Sequence, residues 1–258
     1  MRNALIVLYK DWLEIRKQPG LLLGIFLTPL LLSMLLLVFL SQIGHLKFNT
    51  PLPGLDNPLF AGLSETERQQ VALGSLLSSF FLLLPGVITS IIASYSIVGE
   101  KSSRTLEPLL ATPIRTWELL LGKCLTSLVP GIAVTWFVAL TFVIGTFIFS
   151  TSARMIAALI SPGWLLMVLA WSPLLAVIAI AVMIAVSARV NEPRTAQQAS
   201  AWLIVPFYSV LGAQLAGLQI LGPLLALVIA AVLLVLAILA MWFVTLIFRR
   251  ETILVRWK

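Results

Sequence analysis

The sequence predicts an all-α membrane protein: six transmembrane helices preceded by an amphipathic helix lying at the membrane interface. Three observations carry this prediction. Of 258 residues, 60% are hydrophobic and 10% charged, against roughly 45 to 50% apolar and about 25% charged in soluble domains. Six stretches, 20–41, 71–98, 124–149, 163–187, 199–221 and 223–248, meet the length of about 20 predominantly apolar residues that a helical span needs. Lys and Arg then fall on alternate connections. Fourteen of the seventeen lie in the N-terminal segment, the second and fourth connections and the C-terminal tail; the other three are Lys47, Arg68 and Arg154. Basic residues are retained on the cytoplasmic side during insertion, so both termini are expected there.

Each element has its own local signal. Over 3–17, Leu5, Leu8, Trp12 and Ile15 recur at helical spacing while Lys10, Glu14 and Lys17 gather on another face, which suits an interfacial helix before Pro19 and Gly20 turn the chain inward. The first span has an apolar core longer than the 7 to 15 or so residues of a signal peptide and no small-x-small site after it, so it is expected to stay as an anchor. Its outer connection holds Pro51, Pro53, Gly54 and Pro58, then Ser64 and Glu67 as a capping box that opens the second helix. That helix carries Ser75, Ser78, Ser79, Thr89, Ser90, Ser94 and Ser96 around Pro85 and Gly86. The third and fourth spans are joined by a short outer connection, Ser150 to Pro162. The fifth carries Ser200, Ser209, Gln214 and Gln219 with Pro206 inside it, and the sixth, after Gly222 and Pro223, is nearly all Leu, Val, Ala and Ile. Residues 1–258 therefore read as a single transmembrane domain.

Composition also excludes functions. None of the six assigned spans contains Asp, Glu, Lys, Arg or His, each of which would cost about 2.5 to 3.5 kcal/mol at mid-bilayer on the insertion scale. Proton relays and voltage sensors need such residues, and an ion-coupled carrier would have to coordinate through Ser, Thr, Gln or backbone oxygens. One cysteine, Cys124, and one histidine, His45, exclude an intrachain disulfide and a cysteine-rich zinc site, and an embedded hydrolase lacks its base or metal. No metal or cofactor is expected in this chain. The net charge of +7 is topological information; the expected surrounding is the lipid bilayer, and no nucleic-acid partner is implied. The hydroxyls of the second and fifth spans keep two readings open together. They serve close helix packing with bonds back to their own backbone, and Ser75, Ser79, Ser90, Ser94, Ser209 and Gln214 line a translocation path.

The segment Gly99 to Lys123, GEKSSRTLEPLLATPIRTWELLLGK, is far longer than a turn requires and mixes charges with an apolar cluster. Ser102 or Ser103 caps a short helix containing Leu106, Leu109 and Leu110; Thr112 and Pro113 end it; Thr116 starts the next, with Trp117 at the interface. Here the sequence resembles the membrane subunits of ABC-2 type ATP-binding cassette transporters. Glu100 and Lys101, Thr105-Leu106-Glu107, Leu109-Leu110-Ala111-Thr112-Pro113, Trp117-Glu118-Leu119 and Gly122-Lys123 match the family pattern as they stand, and Arg104 occupies a place where many members have Gly. Ser187 to Pro206, with Arg194, Ala196, Gln197 and Gln198, is similar to the family's connection into its fifth helix.

The resemblance implies the ABC-2, type V exporter-like permease fold, with a coupling helix over 100–116 that enters a cleft of a separate ATPase. In that role Leu106, Leu109 and Leu110 bury in the cleft, Glu100, Arg104 and Glu107 set register by charge, and Thr105 and Pro113 belong to the same surface. It further implies two copies of the ATPase subunit, which bind ATP and Mg, a second permease copy or homologue, export as the direction, and the plasma membrane of a prokaryote. The residues agree on one point: no phosphate-binding loop is present, because Gly122 and Lys123 are followed by Cys124 and no Gly precedes at the required spacing. ATP hydrolysis is therefore expected from a partner, and the chain is expected to be a transport subunit, not an enzyme. The rival readings are an ATP-independent channel or secondary carrier, and a membrane scaffold.

Overall fold

The computed structural model describes residues 2–43, 62–98, 116–150, 152–187 and 222–247, together with Thr195, Gln198 and Gly212. Every regular element among them is helical. In chain order these are α1 (Arg2–Arg16), α2 (Pro19–Ile43), α3 (Glu65–Ser78), α4 (Leu83–Ala93), α5 (Thr116–Phe149), α6 (Ala153–Leu159), α7 (Pro162–Leu166), α8 (Ser172–Ser187) and α9 (Pro223–Ile247). A 3-10 turn, Ser79–Leu82, joins α3 to α4, and π turns at Ser94–Val98 and Met167–Trp171 extend α4 and link α7 to α8. Five runs are long and apolar enough to cross a membrane: Pro19–Gln42, Glu65–Ser96, Leu121–Phe149, Ala153–Ser187 and Pro223–Thr245. The expected span at 199–221 lies outside the described residues.

Local chemistry explains where the helices begin. The capping box forms as the sequence predicts: Glu67 N donates to Ser64 Oγ at 3.3 Å and Ser64 N to Glu67 Oε2 at 2.9 Å, so two donors with no partner inside the helix are satisfied reciprocally. Ser161 caps α7 by accepting from Trp164 N at 3.2 Å, with Pro162 at the first helical position, where its missing N–H costs nothing. Pro85 has no N–H to offer the carbonyl four residues back, and the run passes through its 3-10 turn just before it.

Helix α5 is the axis of the bundle, packed against α1, α2, α4 and α8. Association in lipid has no hydrophobic driving force between helices, so close backbone approach and interhelical hydrogen bonds take its place. Gly131 of α5 receives Thr89 of α4, and Gly145 receives Leu37 of α2, with no room for a Cβ at either site. Ser33 and Thr141 hydroxyls meet at 3.1 Å between α2 and α5. Trp136 Nε1 donates to the Val168 carbonyl at 3.2 Å, and Trp171 Nε1 to the Ala226 carbonyl of α9 at 2.9 Å. Phe81, Phe142 and Trp164 form an aromatic core, Phe81 edge-on to Phe142 with ring centres 5.3 Å apart.

The two ends of the bundle differ. At one end Arg154 Nη1 donates to the Gly62 carbonyl at 3.3 Å, above a cluster of Leu63, Val71, Ala72, Met155 and Leu159. Arg68 stands at this end too, its Nε donating to the Leu63 carbonyl. At the other end α1 lies across the start of α5, and Ala93, Ile184 and Val244 bring the last turns of α4, α8 and α9 together.

One expectation needs correction here. The charge-free interior holds for 124–149 but not for the helix that contains it: α5 runs unbroken from Thr116 and carries Lys123 into the packed interior, where it is 3% exposed. On α1, the stripe turned to the protein is Ala4, Val7, Asp11 and Ile15, while Leu5, Ile6, Tyr9 and Leu13 are exposed. The reason is steric, since smaller side chains let α1 lie close to α5.

Candidate functional site

The predicted coupling residues Glu100, Arg104, Thr105, Leu106, Glu107, Leu109, Leu110 and Pro113 lie outside the described residues, as do Ser209 and Gln214. The structure does describe both roots of that connection: the π turn Ser94–Val98 before it and α5 from Thr116 after it. A buried polar cluster joins them to α1.

The cluster begins with α1. Its inner stripe repeats at helical spacing, and Gly122 lets it approach α5: a Cβ built there would stand 2.8 Å from the Ala4 carbonyl oxygen and 2.9 Å from Val7 Cβ. One residue further on, Lys123 meets Asp11, which is 2% exposed, with Nζ 3.4 Å from Oδ2. The same Nζ donates to the Ser96 carbonyl at 2.8 Å and to Ser96 Oγ at 3.2 Å, and Ser96 Oγ donates to Asp11 Oδ2 at 2.7 Å. An ammonium has three donors, and three acceptors stand around this one. Toward the surface, Lys10 Nζ lies 3.5 Å from Asp11 Oδ1 and 3.4 Å from Glu14. A lone buried charge is expensive, and removing one member of such a pair costs about 3 to 5 kcal/mol. The pairing is what allows Lys123 inside.

The hydroxyls of the second span sit within the protein's packing. Ser75, half-buried, donates to the Ala72 carbonyl at 2.8 Å; Ser79 and Ser94, both buried, donate to Ser75 and Ile91 carbonyls at 3.0 and 2.7 Å. Thr89 Oγ1 donates to the Pro85 carbonyl. Ser90 Oγ is buried without a hydrogen-bond partner among the described residues. Within one chain, these groups mostly display the bonding back to their own helix that is one of the two open readings.

The sequence alone does not single out Asp11, and it offers Ser96 as a polar residue of the second span and Lys123 as a topological and motif residue. A signal did exist. Asp11 is an acid at i, i+4 spacing from Val7 and Ile15, on a stripe that otherwise reads Ala, Val, Ile, and a Lys at the edge of a span needs a partner.

A family model for ABC-2 family transporter proteins matches residues 5–247. The chain belongs to the ABC-2 transporter family. No curated protein matches it. As an ABC-2 permease it is a transmembrane transport subunit, and membership implies partnership with an ABC ATPase subunit. The ABC-2 match takes in Asp11, Ser96 and Lys123 along with the connection between the last two, so the buried cluster belongs to the permease domain itself.

Proposed function

We propose that this chain is the permease subunit of an ATP-driven exporter in the plasma membrane of a prokaryote. It works with two copies of a separate ATPase subunit, which bind ATP and Mg, and with a second permease copy or homologue. The observation that carries this is the rooting of the 99–115 connection: the chain leaves it and returns to it through helices packed on each other, with Ser96 on one side bonded to Lys123 on the other. Closure of the ATPase on Leu106, Leu109 and Leu110, with Glu100, Arg104 and Glu107 setting register and Thr105 and Pro113 in the same surface, pushes on both roots at once. Because Thr89 fills the space at Gly131, α4 and α5 respond as one body.

Other features support the same reading. Helix α8 ends beside the last turns of α9, while α9 begins at the far end, so residues 188–221 join opposite ends of the bundle. That supports a sixth crossing at 199–221. The exposed Leu5, Ile6, Tyr9 and Leu13 beside Lys10 and Arg16 support an interfacial α1. Arg68 and Arg154 share the end opposite Lys123, which fits cytoplasmic termini. The path then runs along the second and fifth spans, with Ser75 the most open of its described hydroxyls, Ser79, Ser90 and Ser94 beside it, and Ser209 and Gln214 along the fifth span.

The test is co-purification of the ATPase with Leu109→Asp and Glu107→Lys variants that insert normally. A hot-spot loss of about 2 kcal/mol is roughly thirtyfold in affinity, so the ATPase should be lost from the preparation. Retention of the ATPase at unaltered stoichiometry in both variants refutes coupling through this segment.

A further inference from the structure

We propose that Asp11, Ser96 and Lys123 form a lock that makes α1 part of the coupling linkage, so that the N-terminal helix travels with both roots of the connection when the ATPase closes. The inference rests on the coupling reading above and adds to it an element that lies outside the connection.

Three pieces of chain meet at this point. Ser96 stands three residues before Gly99, Lys123 seven residues after Thr116, and Asp11 arrives from more than eighty residues away. Beside this cluster, Ala4 and Val7 of α1 pack against Gly122 of α5, and Ile15 is buried in the apolar core. Apolar contact of that kind is non-directional and resists sliding weakly. Charge-assisted hydrogen bonds are directional, and here they close a triangle: Lys123 donates to Ser96 and to Asp11, and Ser96 donates to Asp11. Parting Lys123 from Asp11 separates two buried charges, and losing Ser96 removes hydrogen bonds that orient both, so sliding of α1 or of either root past the others is opposed. Packing alone does not require charge here, since apolar side chains of similar volume serve a buried contact as well or better. What the ion pair supplies is register. The outer face of α1 carries Leu5, Ile6, Tyr9 and Leu13 with the exposed Glu14 and Arg16 beside them, groups that stay among the headgroups as the helix shifts along that region.

Asp11 and Lys123 are thus positioning residues, acting through the helices they join. The test uses the full transporter with its ATPase, reconstituted in lipid nanodiscs, on a Cys124→Ala chain. Spin labels go on Leu13→Cys of α1 and Trp242→Cys near the end of α9, both exposed positions. The distance between them is measured without nucleotide and after trapping with ATP and vanadate. The unaltered pair and Lys123→Arg should show a shift on trapping. The double variant Asp11→Leu with Lys123→Met, which removes both charges and so strands neither, should lose the shift while ATP hydrolysis continues. Should that variant not insert, Ser96→Ala, which opens the triangle and leaves the charges paired, should diminish the shift. A full shift in either variant overturns the lock. An unaltered transporter that binds and turns over ATP without moving α1 overturns the lock and spares the coupling reading; an ATPase that does not bind the unaltered chain overturns both.

Discussion

The second membrane run, Glu65–Ser96, and the last, Pro223–Thr245, are both long apolar helices, yet 61% of the apolar window of the former is buried inside the protein and 17% of the latter. Hydropathy does not explain the difference, because the last run is the more apolar. In water the greasier helix would be driven inward. In lipid, an exposed Leu is already in its preferred solvent, and the interior goes to helices whose side chains allow approach. The second run offers Gly74 against Leu159 and Leu40, Thr89 against Gly131, and buried Ser78, Ser79 and Ser94. Helix α9 meets the bundle along one narrow seam, Ala226, Leu233, Ala237 and Val244, spaced seven, four and seven apart, with Ala230 and Ala240 partly buried on the same line. Ile229 is partly buried beside this seam, and the other described Leu, Val and Ile side chains of α9 face outward.

The strongest way to break this comparison is to put a charge on the outward face of α9. Val235 lies at the middle of the helix and is exposed. Val235→Arg should oppose insertion by about 2.5 to 3.5 kcal/mol on the translocon scale, read as the inserted fraction in a glycosylation-site assay. Unchanged insertion would mean that this face borders protein or water instead of lipid. Next in size is Gly131→Leu at the seat of Thr89. Overpacking a close helix contact costs about 1 to 3 kcal/mol, so the variant should insert but melt earlier in detergent. A melting temperature equal to that of the unaltered chain would show that α4 and α5 are not held by this approach.

These contrasts also explain what the sequence disclosed. The apolar runs were legible because the length and composition of a span are written locally, and Ser64 with Glu67 announced its helix start for the same reason. Hydropathy leaves Lys123 outside its span because a charge in lipid is costly; the neutralising Asp11 sits on a different helix more than a hundred residues away, and no local pattern pairs them. Which face of α1 meets the protein does not follow side-chain size. Leu5, Leu8 and Trp12 are the larger apolar residues, but Gly122 opens a gap that admits Ala4 and Val7. The 3-10 turn and the two π turns left no trace in composition, since a change in winding alters which way side chains point and not which residues occur. Of the site, the roots of the connection were legible, and the lock between them was a tertiary fact.

Smaller effects sharpen the comparison further. Ser33 and Thr141 meet between α2 and α5, but each hydroxyl also reaches its own helix, Ser33 to the Leu30 carbonyl at 3.0 Å and Thr141 to the Val138 carbonyl at 2.7 Å. A double-mutant cycle of Ser33→Ala and Thr141→Val should therefore give a coupling of only about 0.6 kcal/mol, typical of interhelical hydrogen bonds in membranes. A value above roughly 2 kcal/mol would mean that the intrahelical bonds do not compete.

The smallest change is expected from Leu227→Ala on α9, where the side chain is 60% exposed. A buried Leu→Ala substitution costs about 2 to 5 kcal/mol because contacts vanish and a cavity stays. At Leu227 lipid tails refill the space with like atoms, so stability in bilayers should stay within about 0.5 kcal/mol of the unaltered chain. The same measurement on the assembled transporter distinguishes lipid from protein as the neighbour of that face. A loss of the buried size there, absent from the isolated chain, would place a second subunit against α9 and turn its outward Leu and Val residues from a lipid surface into an interface.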